Sequence, residues 1–195
     1  MNLRKSLADC LNAWRPIIYI VGADFETIDD AISGAVADLG WKDVLEEYTH
    51  ASGRVNFKSK EPCSVMDEIS TCSESCTMRL ARYLDDYISD CGIKRILVLK
   101  DVHGELGDPM IVARLKSFAL RLAKEKDEIQ VVIVSPRKVI PLELDNYITV
   151  IEHSSPGTDD IKQKVEEYVE EAKKKSGLAT LSSADIDKLV LALRG

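Results

Sequence analysis

The sequence lacks any apolar run approaching the roughly 20 residues that a helical membrane span requires. Its opening segment, MNLRKSLADCLNAW, is amphipathic and lacks the uninterrupted apolar stretch of a secretory leader. The expectation is a cytoplasmic protein with no membrane partner. Basic charge is also short: 26 Lys and Arg stand against 33 Asp and Glu, a formal charge of -7, so a nucleic-acid partner is not expected. Cysteine is sparse and odd in number, five in all, which suits free thiols in a reducing compartment and argues against a disulfide framework. There is no internal repeat and no low-complexity segment.

What remains is an ordinary globular composition, 45% hydrophobic and 30% charged over 195 residues, enough for one domain and a short appendage. The order of elements is informative. Leu3, Leu7, Ala8 and Leu11 recur at helical spacing, which predicts a helix over residues 2–13, ended by Pro16. Ile17 to Val21 is a continuous apolar, β-branched run closed by Gly22, the pattern of a strand buried on both faces of a parallel sheet. Asp24 then caps a helix that turns Ile28, Ala31, Ile32, Ala35 and Val36 inward and stops at Gly40. Residues 43–49, DVLEEYT, carry too many carboxylates for a central strand and are placed at a sheet edge. Residues 50–61 hold Arg54, Lys58 and Lys60 and read as a mildly basic loop.

From Ser64 to Asp90 two helical faces are visible, Val65, Met66 and Ile69, then Leu80, Tyr83, Leu84, Tyr87 and Ile88, with a break around Ser73 to Ser75. Ile93 and the ILVL run at 96–99 form the second apolar strand, expected to be the most central one. Asp108 and Pro109 open a helix with an apolar stripe from Ile111 to Leu122. VVIV at 131–134 and YITVI at 147–151 are two further strands, separated by the loop SPRKVIPLELDN. Two helices close the chain, Thr158 to Lys175 and a second after Ser182, where Ser182 and Asp185 sit at capping-box spacing. Strands alternating with long helices predict a doubly wound α/β fold: a mostly parallel sheet of about five strands followed by a short C-terminal helical pair. The expected division is a core at 1–157 and helices at 158–195.

In such a sheet ligands bind beyond the carboxyl ends of the strands. The connection after the first strand, VGADFETIDDAISG, has none of the glycines, Lys and Ser or Thr of a phosphate-binding loop. It offers Asp24, Glu26, Asp29 and Asp30 instead, acids that suit a helix cap better than a metal or catalytic carboxylate cluster and that repel a polyphosphate. After the second apolar strand, where nucleotide hydrolases hold magnesium with an Asp followed by an acidic base, Lys100 comes first and Asp101 second. Lys100 can contact an anion, Asp101 and His103 can act as an acid/base pair, and the bland alternative is a Lys100–Asp101 salt bridge beside an exposed His103. After the third strand come Ser135, Pro136, Arg137 and Lys138, two cations that could meet phosphate or a neighbouring subunit but suit a solvated loop better. Cys72 and Cys76 share a helical face, with Cys63 and His50 upstream, but no second cysteine pair exists and no metal is expected. No G-x-S-x-G nucleophile context is present, and the Lys173 to Lys175 run suits a solvated helix end.

Three segments, WRPIIYIVGADFETIDDAI, RILVLKDVHGELGDPMIVARLKSFALRL and VVIVSPRKVIPLELDNYITVIEH, together resemble the N-terminal half of a two-part AAA-type ATPase family of cyanobacteria, other bacteria and chloroplast genomes. LVLKDVH and the S-P-x-x-x-I-P-x-E-L segment carry the likeness. The resemblance implies a P-loop-NTPase or AAA-like core without a phosphate loop, ahead of an intact ATPase domain that this chain does not contain. Lys100 and Asp101 would match the altered magnesium-site pair, Ser135 the start of a segment bearing a polar sensor in active relatives, and Gly22 to Asp30 the vanished phosphate loop. The final helices resemble the beginning of a helical lid. What the resemblance implies is a non-catalytic domain for oligomerisation or regulation, with its own ATPase domain or neighbouring subunits as protein partners and no cofactor. The alternative is an ATP-binding domain with unusual ATPase activity, using magnesium, Lys100, Asp101, Ser135 and Arg137, and with Asp101 and His103 as catalytic residues. A further alternative is a flavodoxin-like signalling domain phosphorylated on Asp101, with Lys138 and Asp24 beside it.

Overall fold

In the computed structural model, residues 2–63, 75–89, 94–125, 128–153, 158–176 and 182–193 are described. The chain divides into two compact units, the first ending at His153 and the second holding the last two helices.

The opening helix α1 (Leu3–Asn12) is capped by Asn2, whose side chain accepts from Lys5 N, and buries Leu3, Leu7 and Leu11 along one stripe. Each such leucine contributes about 1.5–3 kcal/mol through apolar burial. Strand β1 (Ile17–Val21) follows at once. Helix α2 (Phe25–Asp38) begins at the predicted cap, with Asp24 Oδ1 accepting from Thr27 N, and terminates before Gly40, whose φ of 69° is the left-handed conformation glycine adopts freely. The other elements of this unit are β2 (Leu45–Thr49), β3 (Gly53–Asn56), α3 (Cys76–Ser89), β4 (Arg95–Lys100), α4 (Pro109–Glu125), β5 (Ile129–Ser135) and β6 (Ile148–Glu152). A 3-10 turn, Leu142–Tyr147, leads into β6.

The sheet has six strands in the order β3-β2-β4-β5-β1-β6, parallel throughout except for the antiparallel β3 edge. The doubly wound α/β fold is as expected, with two corrections. Residues 53–56, read as loop, form the edge strand, and β2 lies inside the sheet between β3 and β4. The two glutamates that argued against an interior strand are tolerated because each has cations to meet. Glu46 Oε2 accepts from Arg54 Nε at 2.7 Å and from the Tyr87 hydroxyl, and Glu46 Oε1 is 3.4 Å from Arg95 Nη1. Glu47 points to the other face and has its own partners, described below. The ILVL strand, β4, shares the centre of the sheet with β5.

Strand alternation sorts the core onto the two faces of the sheet. Ile18, Ile20, Ile96, Val98, Val132 and Val134 meet α1 and α2 on one face. Tyr19, Leu97, Leu99, Val131 and Ile133 meet the residues of α3 and α4 on the other, where Tyr48 stacks on Tyr83 at 4.7 Å and Tyr83 meets Tyr87 edge-on at 5.0 Å. The helical faces expected at Leu80, Tyr83, Leu84 and Tyr87 and from Ile111 to Phe118 are buried here. Val65, Met66, Ile69, Ile93, and Ser73 and Glu74 of the expected break lie outside the described residues, as do the side chains of Ile88 and of Lys173 to Lys175.

In the second unit α5 (Thr158–Ser176) and α6 (Ser183–Leu193) pack together and are pinned by Lys162 Nζ to Asp187 Oδ1 at 2.8 Å. The capping box is realised: Asp185 N donates to Ser182 Oγ and Ser182 N to Asp185 Oδ2, each at 3.3 Å. No described helix is long and apolar enough to cross a membrane.

Candidate functional site

The strand order makes the carboxyl end of β1 a crossover point, since the chain leaves it toward β2 on one side and returns from β5 to β6 on the other. The backbone there is closed. Gly22 N donates to Ser135 O at 2.9 Å, joining the tips of β1 and β5, and His153 N donates to Val21 O at 2.8 Å. Glycine at 22 answers to space: a Cβ would stand 3.0 Å from Ile28 Cδ1 and 3.2 Å from His153 O. At the start of α2, Phe25 N reaches Ala23 O, Thr27 N reaches the Asp24 carboxylate and Ile28 N reaches Asp24 O. Three of the N–H groups that an anion would seek at this helix start, those of Phe25, Thr27 and Ile28, are therefore engaged within the chain.

Beside this start sits a buried ion network. Lys100, at the tip of β4, is 7% exposed, and its side chain runs along the α2 face. Its Nζ lies 2.7 Å from Asp29 Oδ2 and 2.8 Å from Glu47 Oε2. Lys60 approaches from the solvent side and meets the same two oxygens at 3.2 and 2.5 Å. Four formal charges thus cancel pairwise at the position where β2, β4 and α2 converge. The Lys60 ammonium also lies 4.4 Å from the Phe57 ring centroid. Its pKa is raised: burial opposes the charge, but hydrogen bonds and attraction from Glu47 and then Asp29 outweigh it.

The bland alternative of a Lys100–Asp101 salt bridge is therefore corrected, because Lys100 is committed to Asp29 and Glu47. Asp101 turns away at φ 55° and is exposed, with its N–H donating to Val134 O. His103 is joined to Ser135, Nδ1 to Oγ at 2.9 Å, and is only half exposed. Ser135 is fully buried, and its Oγ also accepts from Arg137 N at 3.2 Å. Arg137 is exposed, and its carbonyl accepts from the Tyr19 hydroxyl at 2.5 Å, which fixes the loop after β5 to the core. Lys138 lies 3.9 Å from Glu152 Oε1 at the sheet's other edge. So His103, Ser135 and Arg137 come together, while Lys100 belongs to a different cluster on the α2 face.

Sequence reasoning favoured a capping role for Asp29 over a metal or catalytic carboxylate cluster, and missed Glu47. The available signal was register: Glu47 pairs with Val98, which places it on the face of Lys100 two residues on.

The α3 side of the same carboxyl edge holds Tyr48, His50, Cys76 and Glu105. Tyr48 is 3% exposed, and its hydroxyl has its pKa pushed up to about 12, chiefly by burial, with Cys76 and Glu105 adding and Arg79 and Arg82 opposing. Because the folded protein holds this proton more tightly than the unfolded chain, stability is complete below the ordinary tyrosine pKa of about 10 and declines as pH rises beyond it. The expected loss is about 1–2 kcal/mol between about pH 10 and 12, allowing for solvent screening. Urea denaturation against pH checks it, and Tyr48→Phe should flatten that limb of the profile.

Comparison with known proteins fits this architecture. At 24% identity over 171 residues, the chain matches an uncharacterised AAA domain-containing protein, ycf46, of Guillardia theta, covering 85% of this chain and 30% of that relative's length. A chain of the solved E. coli MS115-1 HORMA:CdnC:Trip13 complex superposes with a TM-score of 0.58 at 14% identity, covering 96% of this chain and 71% of the other, a likeness of fold. A family model described as the SpoVK-like AAA ATPase N-terminal domain matches residues 3–153, all but the first two residues of the first unit, and the chain belongs to that family.

Proposed function

We propose that this AAA-family domain is non-catalytic and serves oligomerisation or regulation of an adjacent ATPase domain. The observation that carries the reading is the Lys100–Asp29–Glu47–Lys60 network. A magnesium nucleotide needs an unpaired carboxylate near the β4 tip for the metal and free N–H groups at the start of α2 for phosphate. Here the last residue of β4 is a cation already committed to two carboxylates, the exposed Asp101 after it stands in a left-handed conformation outside that network, and Asp24 caps the helix start. Admitting a nucleotide would mean stripping Asp29 and Glu47 of a buried partner. We read the missing phosphate cradle as a degenerate phosphate loop and expect no bound cofactor.

A domain that keeps the AAA architecture without its chemistry retains shape, and shape is what a ring neighbour or a covalently linked ATPase domain would read. The chain spans 30% of the ycf46 relative it matches, which leaves room for such a domain in proteins of this kind. ATP binding through Arg137 and Ser135 is the weaker reading, because Ser135 Oγ is already shared by His103 and Arg137 N.

The test is to mix the chain with a separately produced ATPase domain of a protein of this family, then follow sedimentation and ATP turnover. A heavier species, or a turnover rate that changes with added chain and saturates, is expected. Independent sedimentation with unchanged turnover at tens of micromolar would contradict the proposal.

A further inference from the structure

On the α3 side of the carboxyl edge, away from the lysine network, three side chains of ligating chemistry converge from three elements. His50 follows β2, Cys76 opens α3, and Glu105 lies in the loop after β4. One ligand atom from each can be chosen so that all lie within 4.8 Å of one another. We propose that His50, Cys76 and Glu105 form a three-ligand zinc site, closed on the protein side and open at a fourth position.

The histidine geometry carries the argument. Its Nδ1 lies 3.4 Å from the Tyr48 hydroxyl, within hydrogen-bond distance. Its Nε2 is buried and makes no hydrogen bond, although Glu105 Oε2 is only 2.9 Å away. A metal-binding histidine has this arrangement: one nitrogen is held by an outer partner that orients the ring, and the other faces the ion beside an anionic ligand. A catalytic triad would need the reverse, with the carboxylate on one nitrogen and the thiol on the other. Here the nitrogen opposite the carboxylate meets the Tyr48 hydroxyl, and the Cys76 Sγ lies within 4.8 Å of the ligand atoms taken from the other two residues.

Tyr48 suits the outer role. It is buried, stacked against Tyr83 and edge-on to His50 at 5.6 Å, so the ring position is set by packing before any ion arrives. Cys76 is prepared as well. Arg79 Nη2, one helical turn on, donates to its Sγ at 3.4 Å, which fixes the position of the sulfur. None of the described cysteines is engaged in a disulfide.

Distances permit the ion. Tetrahedral zinc with bonds near 2.0–2.3 Å sets its ligands about 3.3–3.8 Å apart, so closing from within 4.8 Å takes side-chain movements of about 1 Å. One nitrogen, one sulfur and one oxygen ligand favour zinc over magnesium or calcium, which prefer all-oxygen sets. The bound ion would tie the start of α3 to the ends of β2 and β4.

The metal-stripped chain would be titrated with zinc against a chromophoric chelator, and with cobalt to record thiolate-to-metal charge-transfer absorption. One equivalent is expected, with the cobalt band present and a single sulfur ligand by X-ray absorption. His50→Ala, Cys76→Ser and Glu105→Gln should each weaken binding at least tenfold, and Cys76→Ser should abolish the band. Cys63→Ser with Cys72→Ser should change neither. Melting curves of each variant without metal separate loss of a ligand from loss of fold, and Cys76→Ser is close to isosteric. Binding weaker than about 100 μM, a band that survives Cys76→Ser, or two or more sulfur ligands would overturn the site. The nucleotide behaviour of the chain does not bear on any of these readouts.

Discussion

Lys100→Met should destabilise the first unit by about 2–3 kcal/mol, because it leaves the Asp29 and Glu47 carboxylates partly buried with one cation fewer. Breaking a buried pair usually costs more, about 3–5 kcal/mol, but Lys60 still reaches both oxygens from the solvent side and softens the loss. For a chain of this size the melting temperature should fall by about 5–10 °C. Glu47→Gln on top of Lys100→Met should cost less than the sum of the two changes, since each removes the reason for the other. Thermal melts of the two single variants and the double variant check this. A drop below about 0.5 kcal/mol for Lys100→Met would mean that the network is solvated like an ordinary surface pair.

Leu99→Ala should cost more, about 3–4 kcal/mol, through lost burial and the cavity left behind. Leu99 is fully buried beside Lys100 in β4, pairs with Ile133 in the sheet and belongs to the core beneath α3 and α4. With neighbours on both sides in a central strand, the site has little freedom to collapse. Urea unfolding should show a lower midpoint with an unchanged slope, the mark of altered stability with the same surface exposed. The comparison with Lys100→Met is informative because the two side chains are adjacent and point to opposite faces. One measures packing, the other compensated charge.

The sheet was legible where the physics is local and unambiguous. Ile17 to Val21 and the ILVL and VVIV runs could only be strands covered on both faces, and Asp24, Gly40 and Ser182 marked helix ends by capping chemistry alone. Strand β2 was misplaced because its carboxylates look unburiable until their cations are found, and those come from Arg54, Arg95, Lys60 and Lys100, distant in sequence. Strand β3 is short and polar, with Arg54 opposite Tyr48 and reaching diagonally to Glu46, so its own pattern says loop.

The candidate site followed the same division. That the β1–α2 connection carries acids where a phosphate loop carries glycines was plain from composition. That Lys100 turns toward α2 and leaves Asp101 exposed depends on strand alternation and on register with β2, which no single segment reveals. The same holds for His50, Cys76 and Glu105. The sequence suggested His50 with the cysteines, but the ligand that completes the cluster is a glutamate from the loop after β4, and Cys72 lies outside the described residues.

On the proposed reading, this AAA-family domain has no nucleotide site of its own. Isothermal calorimetry of the chain with ATP and with ADP, each with and without magnesium, tests it most directly. No binding heat is expected up to about millimolar nucleotide, a free energy weaker than about 4 kcal/mol. Micromolar binding, on the order of 8 kcal/mol, that is lost in Lys100→Met or Arg137→Ala would contradict it.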